Sequence, residues 1–160
     1  MKLYIVRHAK SSHSDHFPGD IYRTLEKKGY EEAMEMVNKF SAVAVKPDLI
    51  ISSPAVRAFS TALVFALHMN YDTRKITLNP SIYEADYRTL IRVVNTIDQQ
   101  FHTVMLFGHN PGLSDLVNEL CNPVISSLPT AGIAELEFSV NNWNDVDAGT
   151  AVLKNKYFPV

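Results

Sequence analysis

Short apolar runs alternate with amphipathic stretches along most of this chain, and three of those runs end in residues able to hold a phosphate. Leu3-Tyr4-Ile5-Val6 passes into Arg7-His8, Leu49-Ile50-Ile51-Ser52 into Ser53-Pro54 with Arg57 one turn later, and Thr103-Val104-Met105-Leu106-Phe107 into Gly108-His109. Runs of this length, rich in β-branched and aromatic residues, read as buried strands. Strands alternating with helices imply a parallel sheet covered on both faces, and parallel strands bring their carboxyl ends to one edge, where ligands bind in open α/β sheets. The three endings therefore converge. Two guanidinium groups and two imidazoles around one point describe a phosphate pocket, to which the N-terminus of the helix carrying Arg57 adds partial positive charge.

Between these runs the helical pattern is clear. A first helix is expected from about Leu25 to Phe40, with Tyr30, Ala33, Met34, Val37 and Phe40 on one stripe and Thr24 as N-cap. A second starts with Ser53 at the N-cap and Pro54 in the first helical position. Tyr87, Leu90, Ile91, Val94 and Ile97 mark a third, and Leu113, Leu116, Val117 and Leu120 a fourth. A short extended segment covers Ile76 to Leu78. After Pro123 the pattern changes to two strands, Ile133 to Val140 and Ala151 to Tyr157, expected as an antiparallel pair. The polar stretch from Ala9 to Arg23 reads as a long loop of the functional kind. The expected fold is a three-layer α/β/α arrangement with a mainly parallel central sheet and an antiparallel C-terminal addition.

At 160 residues the chain fits one domain spanning residues 1–160. A net charge of −2 gives no global attraction to nucleic acid or anionic membranes, so an anion site must come from a local cluster of cations. One cysteine, Cys121, excludes an internal disulfide and offers no zinc-ligand spacing. No apolar run approaches the ~20 residues of a membrane span, and the N-terminal run is too short for a signal peptide, so the expected location is cytoplasmic.

Arg7-His8-Ala9-Lys10-Ser11-Ser12 resembles the Arg-His-Gly/Ala signature of the histidine phosphatase superfamily, the phosphoglycerate mutase-like fold. Ser52-Ser53-Pro54-Ala55-Val56-Arg57-Ala58 with Thr61-Ala62 resembles its second motif, and Gly108-His109-Asn110-Pro111-Gly112 its second-histidine motif. All three stand in family order. The short chain, the Ala-Lys-Ser-Ser after the histidine and the Asn-Pro-Gly after His109 resemble the small phosphohistidine phosphatase, or SixA-type, branch. Where many mutase-like members have Gly-Glu-Thr, this chain has Ala9, Lys10 and Ser11, which weakens a mutase assignment.

The resemblance implies that His8 is the nucleophile, that Arg7 and Arg57 hold the equatorial oxygens, and that His109 donates to one of them as charge develops. It implies no metal and no cofactor. Ser11, or another group of Ala9–Ser12, is a candidate for one more hydrogen bond to substrate. Asp20-Ile21-Tyr22-Arg23 with Leu25 and Gly29 resembles the family's Asp-x-x-Arg-x-Leu-x-x-x-Gly stretch, so that Arg23 would reach the phosphate or its leaving group. Glu84 sits where many members carry a general acid; here it reads as an acid, a modest helper, or a loop residue at a helix start. The substrates expected are phosphohistidine on a protein, such as a histidine phosphotransfer domain, or a small phosphate ester, with a non-catalytic phosphate-binding module as the contrasting class. His13 and His16 read as loop histidines; with His8 they form a spacing a metal could use, but no carboxylate or cysteine completes the set.

Overall fold

The computed structural model describes residues 1–13, 16–122 and 125–160. Two residues of the expected functional loop, Ser14 and Asp15, lie outside that description, as does Pro123, where the sequence pattern changes.

Among the described residues six strands form one sheet: β1 (Lys2–Arg7), β2 (Leu49–Ser52), β3 (Thr77–Leu78), β4 (Thr103–Gly108), β5 (Ile133–Phe138) and β6 (Ala151–Tyr157). Their order is β3-β2-β4-β1-β5-β6. Pairings β3–β2, β2–β4 and β4–β1 are parallel, and β1–β5 and β5–β6 antiparallel. The expected mixed sheet is thus present, with β1 at the junction of its two halves.

Among the described residues four α-helices cover it: α1 (Lys27–Ser41), α2 (Val56–His68), α3 (Tyr87–Asn95) and α4 (Gly112–Leu120). Side chains of successive strand residues point to opposite faces, and β1 obeys this strictly. Leu3 and Ile5 join Leu90 and Val94 of α3 and Leu113 and Leu116 of α4 in one core. Tyr4 and Val6 join Ala33, Val37 and Phe40 of α1 and Ala62 and Phe65 of α2 in the other. Burying a large apolar side chain yields roughly 1.5–3 kcal/mol, so the two cores hold β1 rigidly from both sides. Trp143, in the turn before β6, packs inside: it is fully buried, lies edge-on to Phe138, and donates from Nε1 to the Phe101 carbonyl at 2.6 Å.

Two helix starts differ from expectation. The first helix begins at Lys27, not Leu25, because the preceding residues are held extended against the loop that follows His8. Ser11 bridges Leu25 antiparallel, Ser12 N–H donates to the Thr24 carbonyl at 2.9 Å, and Glu26 N–H donates to Lys10 O at 3.0 Å. Glu26, with extended backbone, takes the cap position expected for Thr24. Gly29 on α1 belongs to the same contact, since a Cβ there would run into the Lys10 carbonyl. The second helix begins at Val56 with Ala55 as N-cap, in place of Ser53 and Pro54. The Ser53 hydroxyl accepts from Ala55 N–H at 3.2 Å and is otherwise engaged by His109, a use that local sequence cannot disclose.

Candidate active site

Strand register brings the three endings together. Arg7 of β1 pairs with Gly108 of β4, and Ser52 of β2 with Phe107 of β4. His8 N–H donates to the Gly108 carbonyl and Ser53 N–H to that of Phe107, at 3.1 and 3.0 Å. Thr61 of α2 fastens the next loop: its hydroxyl accepts from Ala9 N–H at 3.0 Å and donates to the Arg57 carbonyl at 2.8 Å. Arg7, His8, Arg57 and His109 consequently line one cavity of about 400 Å³, which Ser11 and Arg23 also line. Six of the seven residues singled out from the sequence stand in its wall. No acidic side chain is among the described residues that line it.

His8 is buried, and its Nδ1 lies 2.7 Å from the Ala9 carbonyl. A carbonyl only accepts, so Nδ1 carries the proton and Nε2 keeps a free electron pair. Burial first, and then the guanidinium groups of Arg57, Arg7 and Arg23, push its pKa down to about 4, against the Ala9 hydrogen bond. At neutral pH this ring is an uncharged base.

His109 lies beside it, ring centroids 5.3 Å apart. Its Nε2 is 2.8 Å from the Ser53 hydroxyl, while Nδ1 is buried and has no hydrogen-bond partner among the described residues. Because Ser53 Oγ already receives the Ala55 N–H, its own hydrogen is available for His109 Nε2. The tautomer this favours leaves Nδ1–H as a donor. Burial, with the charges of His8 and Arg57, lowers the His109 pKa to about 3.

The arginines are held from behind. Arg7 Nη1 donates to the Leu128 carbonyl at 2.8 Å. Arg57 Nη1 donates to the Asp20 carbonyl at 2.8 Å and Nη2 to Asp20 Oδ2 at 2.9 Å. In both, Nε is buried and has no hydrogen-bond partner among the described residues. Buried polar groups are normally satisfied. Arg7 Nε, Arg57 Nε and His109 Nδ1 are thus unspent donors on three residues that line one cavity, a set suited to a tetrahedral oxyanion; Arg23 Nε is also buried without a hydrogen bond but lies within ion-pair reach of Asp20. Arg23 forms an ion pair through Nε with Asp20 Oδ1 at 2.9 Å and donates from Nη1 to Ser12 O and to His13 Nδ1.

Glu84 stands apart. It is exposed, lies outside the cavity wall, and has left-handed backbone (φ 53°) at the turn before α3. Its link to the site is the Tyr83 hydroxyl, whose pKa is raised to about 12 by its hydrogen bond to Asp20 first and by Glu84 to a smaller extent. His13 departs from expectation in the other direction: it lines the cavity as an acceptor for Arg23, not as a bystander of the loop. Among the described residues no three His, Cys, Asp or Glu side chains are grouped to hold a metal. The sequence reading does not single out Asp20 or Tyr83, although Asp20 lies three residues before Arg23 in the Asp-x-x-Arg stretch. Its one local signal is the spacing to Arg23; the contact with Arg57 joins distant segments and leaves no mark in the loop.

Comparison with known proteins agrees with this geometry. The family model described as histidine phosphatase superfamily (branch 1) matches residues 3–114. An uncharacterized chloroplastic protein of Arabidopsis thaliana is 28% identical over 155 residues, covering 92% of this chain and 71% of its own length. An uncharacterized protein of Mycobacterium tuberculosis is 28% identical over 164 residues, covering 96% of this chain and 99% of its own. Among solved structures, the protein histidine phosphatase SixA complexed with tungstate superposes with TM-score 0.84 at 20% identity, covering 99% of this chain and 97% of that one. A candidate phosphohistidine phosphatase SixA from Agrobacterium tumefaciens gives 0.81 at 25% identity, covering 99% and 98%. Family motifs on adjacent strand ends, a match over most of the chain and the shared fold lead to one statement: this chain belongs to the histidine phosphatase superfamily, branch 1, and is a phosphatase of that family.

Proposed function

We propose that the protein removes phosphate from phosphohistidine carried by another protein, such as a histidine phosphotransfer domain, through a covalent phosphohistidine on His8. The observation that carries this reading is an uncharged His8 with a free Nε2, set among the unspent donors of Arg7, Arg57 and His109 in a cavity whose described wall holds no acid. Arg7 and Arg57 bind non-bridging oxygens and His109 donates to a third. The Nε2 electron pair attacks phosphorus as the bond to the substrate nitrogen breaks. The departing imidazole, protonated on its other ring nitrogen before the attack, takes the electrons of the broken P–N bond and leaves neutral, so no carboxylic acid is needed. Water then attacks the phosphorus, the bond to Nε2 breaks, and inorganic phosphate leaves. An ester would depart as an alkoxide, for which a positioned acid contributes about 10²–10⁴-fold.

The contrasting reading, a phosphatase for small phosphate esters, makes Glu84 the acid. Glu84→Gln decides between them when assayed on a phosphohistidine protein and on an aryl or alkyl phosphate. The expected result is a loss below about threefold on phosphohistidine, far short of removing a general acid. A selective loss of about 100-fold or more on an ester that is also the better substrate would install the ester reading. Prolonged incubation of both substrates without phosphate release would overturn catalysis in favour of a binding module.

The pH profile supplies a second check. The nucleophile must be unprotonated, and its pKa in the free protein is about 4. The pH dependence of kcat/KM reports groups of the free enzyme. Corrected for the substrate's own phosphate ionisation, kcat/KM should rise with pH through about 4 and be flat from there to neutrality. An enzyme limb near the ordinary histidine value, about 6.5, would contradict the buried, uncharged nucleophile.

A further inference from the structure

Among the described residues Asp20 is the one acidic side chain bonded to site arginines, and it holds two of them at once. Its Oδ2 accepts from Arg57 Nη2 at 2.9 Å and from the Tyr83 hydroxyl at 2.6 Å. Its Oδ1 pairs with Arg23 Nε at 2.9 Å, and its backbone carbonyl accepts from Arg57 Nη1 at 2.8 Å. One residue therefore joins α2, the loop that precedes α1, and the turn that precedes α3. Tyr83 continues the chain of contacts, its ring edge-on to that of His109 at 5.6 Å.

The geometry points to Asp20 as a positioning residue that, clamped by Tyr83, holds the Arg57 and Arg23 guanidinium groups in the orientation that binds the phosphoryl group. The inference rests on reading the cavity as a phosphoryl site. Asp20 takes the two terminal nitrogens of Arg57 end-on, which leaves the Nε edge, whose buried Nε–H has no hydrogen-bond partner among the described residues, as the fork that remains for substrate. A planar guanidinium offers two such edges, so fixing one fixes the direction of the other. The carboxylate is also the local countercharge that lets two guanidinium groups sit side by side before a dianion arrives.

Two other roles for Asp20 fail on the same contacts. A general acid needs a proton to give, but hydrogen bonds from Tyr83 and Arg57 hold this carboxyl down at about 2, so it is ionised. A plug that substrate must expel would occupy the phosphate-binding edge, yet Nε of Arg57 has no hydrogen-bond partner among the described residues. The plug and positioning roles also predict opposite signs on mutation, because removing a plug tightens anion binding and removing a support loosens it.

Direct binding of inorganic phosphate, followed by calorimetry on the full chain, separates these possibilities without any turnover. Misplacement of binding groups by about 1 Å can cost up to about 100-fold in function, and a half-exposed support should cost less. Asp20→Ala should weaken phosphate binding about tenfold and raise KM in step with it, and Asp20→Asn, which keeps one acceptor oxygen, about threefold. Tyr83→Phe, which loosens the clamp alone, should weaken it about twofold to threefold. Unchanged or tighter phosphate binding in a folded Asp20 variant overturns the proposal, even where its melting temperature has fallen. Should Asp20→Ala not fold, the nearly isosteric Asp20→Asn and Tyr83→Phe carry the same test. Absence of phosphate binding by the parent protein would overturn the phosphoryl-site reading and this inference together; binding by the parent with equal binding by the variants would overturn this inference alone.

Discussion

Replacing His8 with alanine should abolish formation of a phosphorylated protein and reduce phosphate release by about 10⁴-fold or more, the scale on which enzymes lose activity when a nucleophile is removed. Brief exposure of the parent protein to substrate labelled in its phosphoryl group should leave an acid-labile, base-stable label on the chain. His8→Ala should carry none. The reasoning starts with position. His8 follows β1 directly and its amide is tied to Gly108, so backbone freedom at the nucleophile is small. Its ring is locked by Nδ1 against the Ala9 carbonyl, which leaves Nε2 as the reacting atom. Burial lowers its pKa to about 4, so nearly every molecule holds the reactive form at neutral pH. Arg7, Arg57 and His109 survive the substitution, so phosphate binding should persist while labelling disappears. That separation makes the result a statement about chemistry and not about folding. Label appearing unchanged on His8→Ala would place the nucleophile elsewhere.

Much of this arrangement was legible in the sequence because its causes are local. Apolar runs that end abruptly in Arg7-His8, Ser52-Ser53 and Gly108-His109 are strands with reactive ends, and period alone separates them from the helices. The antiparallel β5–β6 pair was legible for the same reason. What sequence could not disclose depends on contacts between distant segments. Ser53 looks like an N-cap because capping is what serines before a helix usually do; its hydroxyl instead serves the histidine that follows the neighbouring strand β4. Thr24 and Leu25 look like a helix start, but pairing with the loop after His8 keeps them extended. Glu84 held the expected place in the order of motifs, and a left-handed turn leaves it exposed outside the cavity wall. Asp20 lay in a loop of mixed polar residues, and nothing in that loop says that its carboxylate meets an arginine from another helix.

Arg57 should prove the most demanding of the binding residues, and the loss on its removal the largest after His8. It is 5% exposed and stands in the first turn of α2, where the Thr61 hydroxyl donates to its carbonyl and Asp20 grips its end. Arg57→Ala removes a bidentate, charge-assisted contact that strengthens as charge moves onto the phosphoryl oxygens. Loss of one such preorganised donor group costs on the order of 10²–10³-fold in kcat. The informative companion is Arg57→Lys. If the residue contributed only charge, lysine would restore most of the activity. The argument from geometry says otherwise: an ammonium is a point charge on a flexible stem, unable to accept the Asp20 grip at one edge while presenting a second edge to phosphate. Arg57→Lys should therefore stay within about tenfold of Arg57→Ala in kcat/KM, with His8 labelling slowed in proportion. Near-parental rates in Arg57→Lys would mean that positive charge, and not a fixed fork, is what the site requires of this position. In Arg57→Ala the Asp20 carboxylate keeps Tyr83 and Arg23 as partners, so its charge is not stranded and the chain should remain folded. Steady-state rates measured on both variants beside their thermal melts settle the matter.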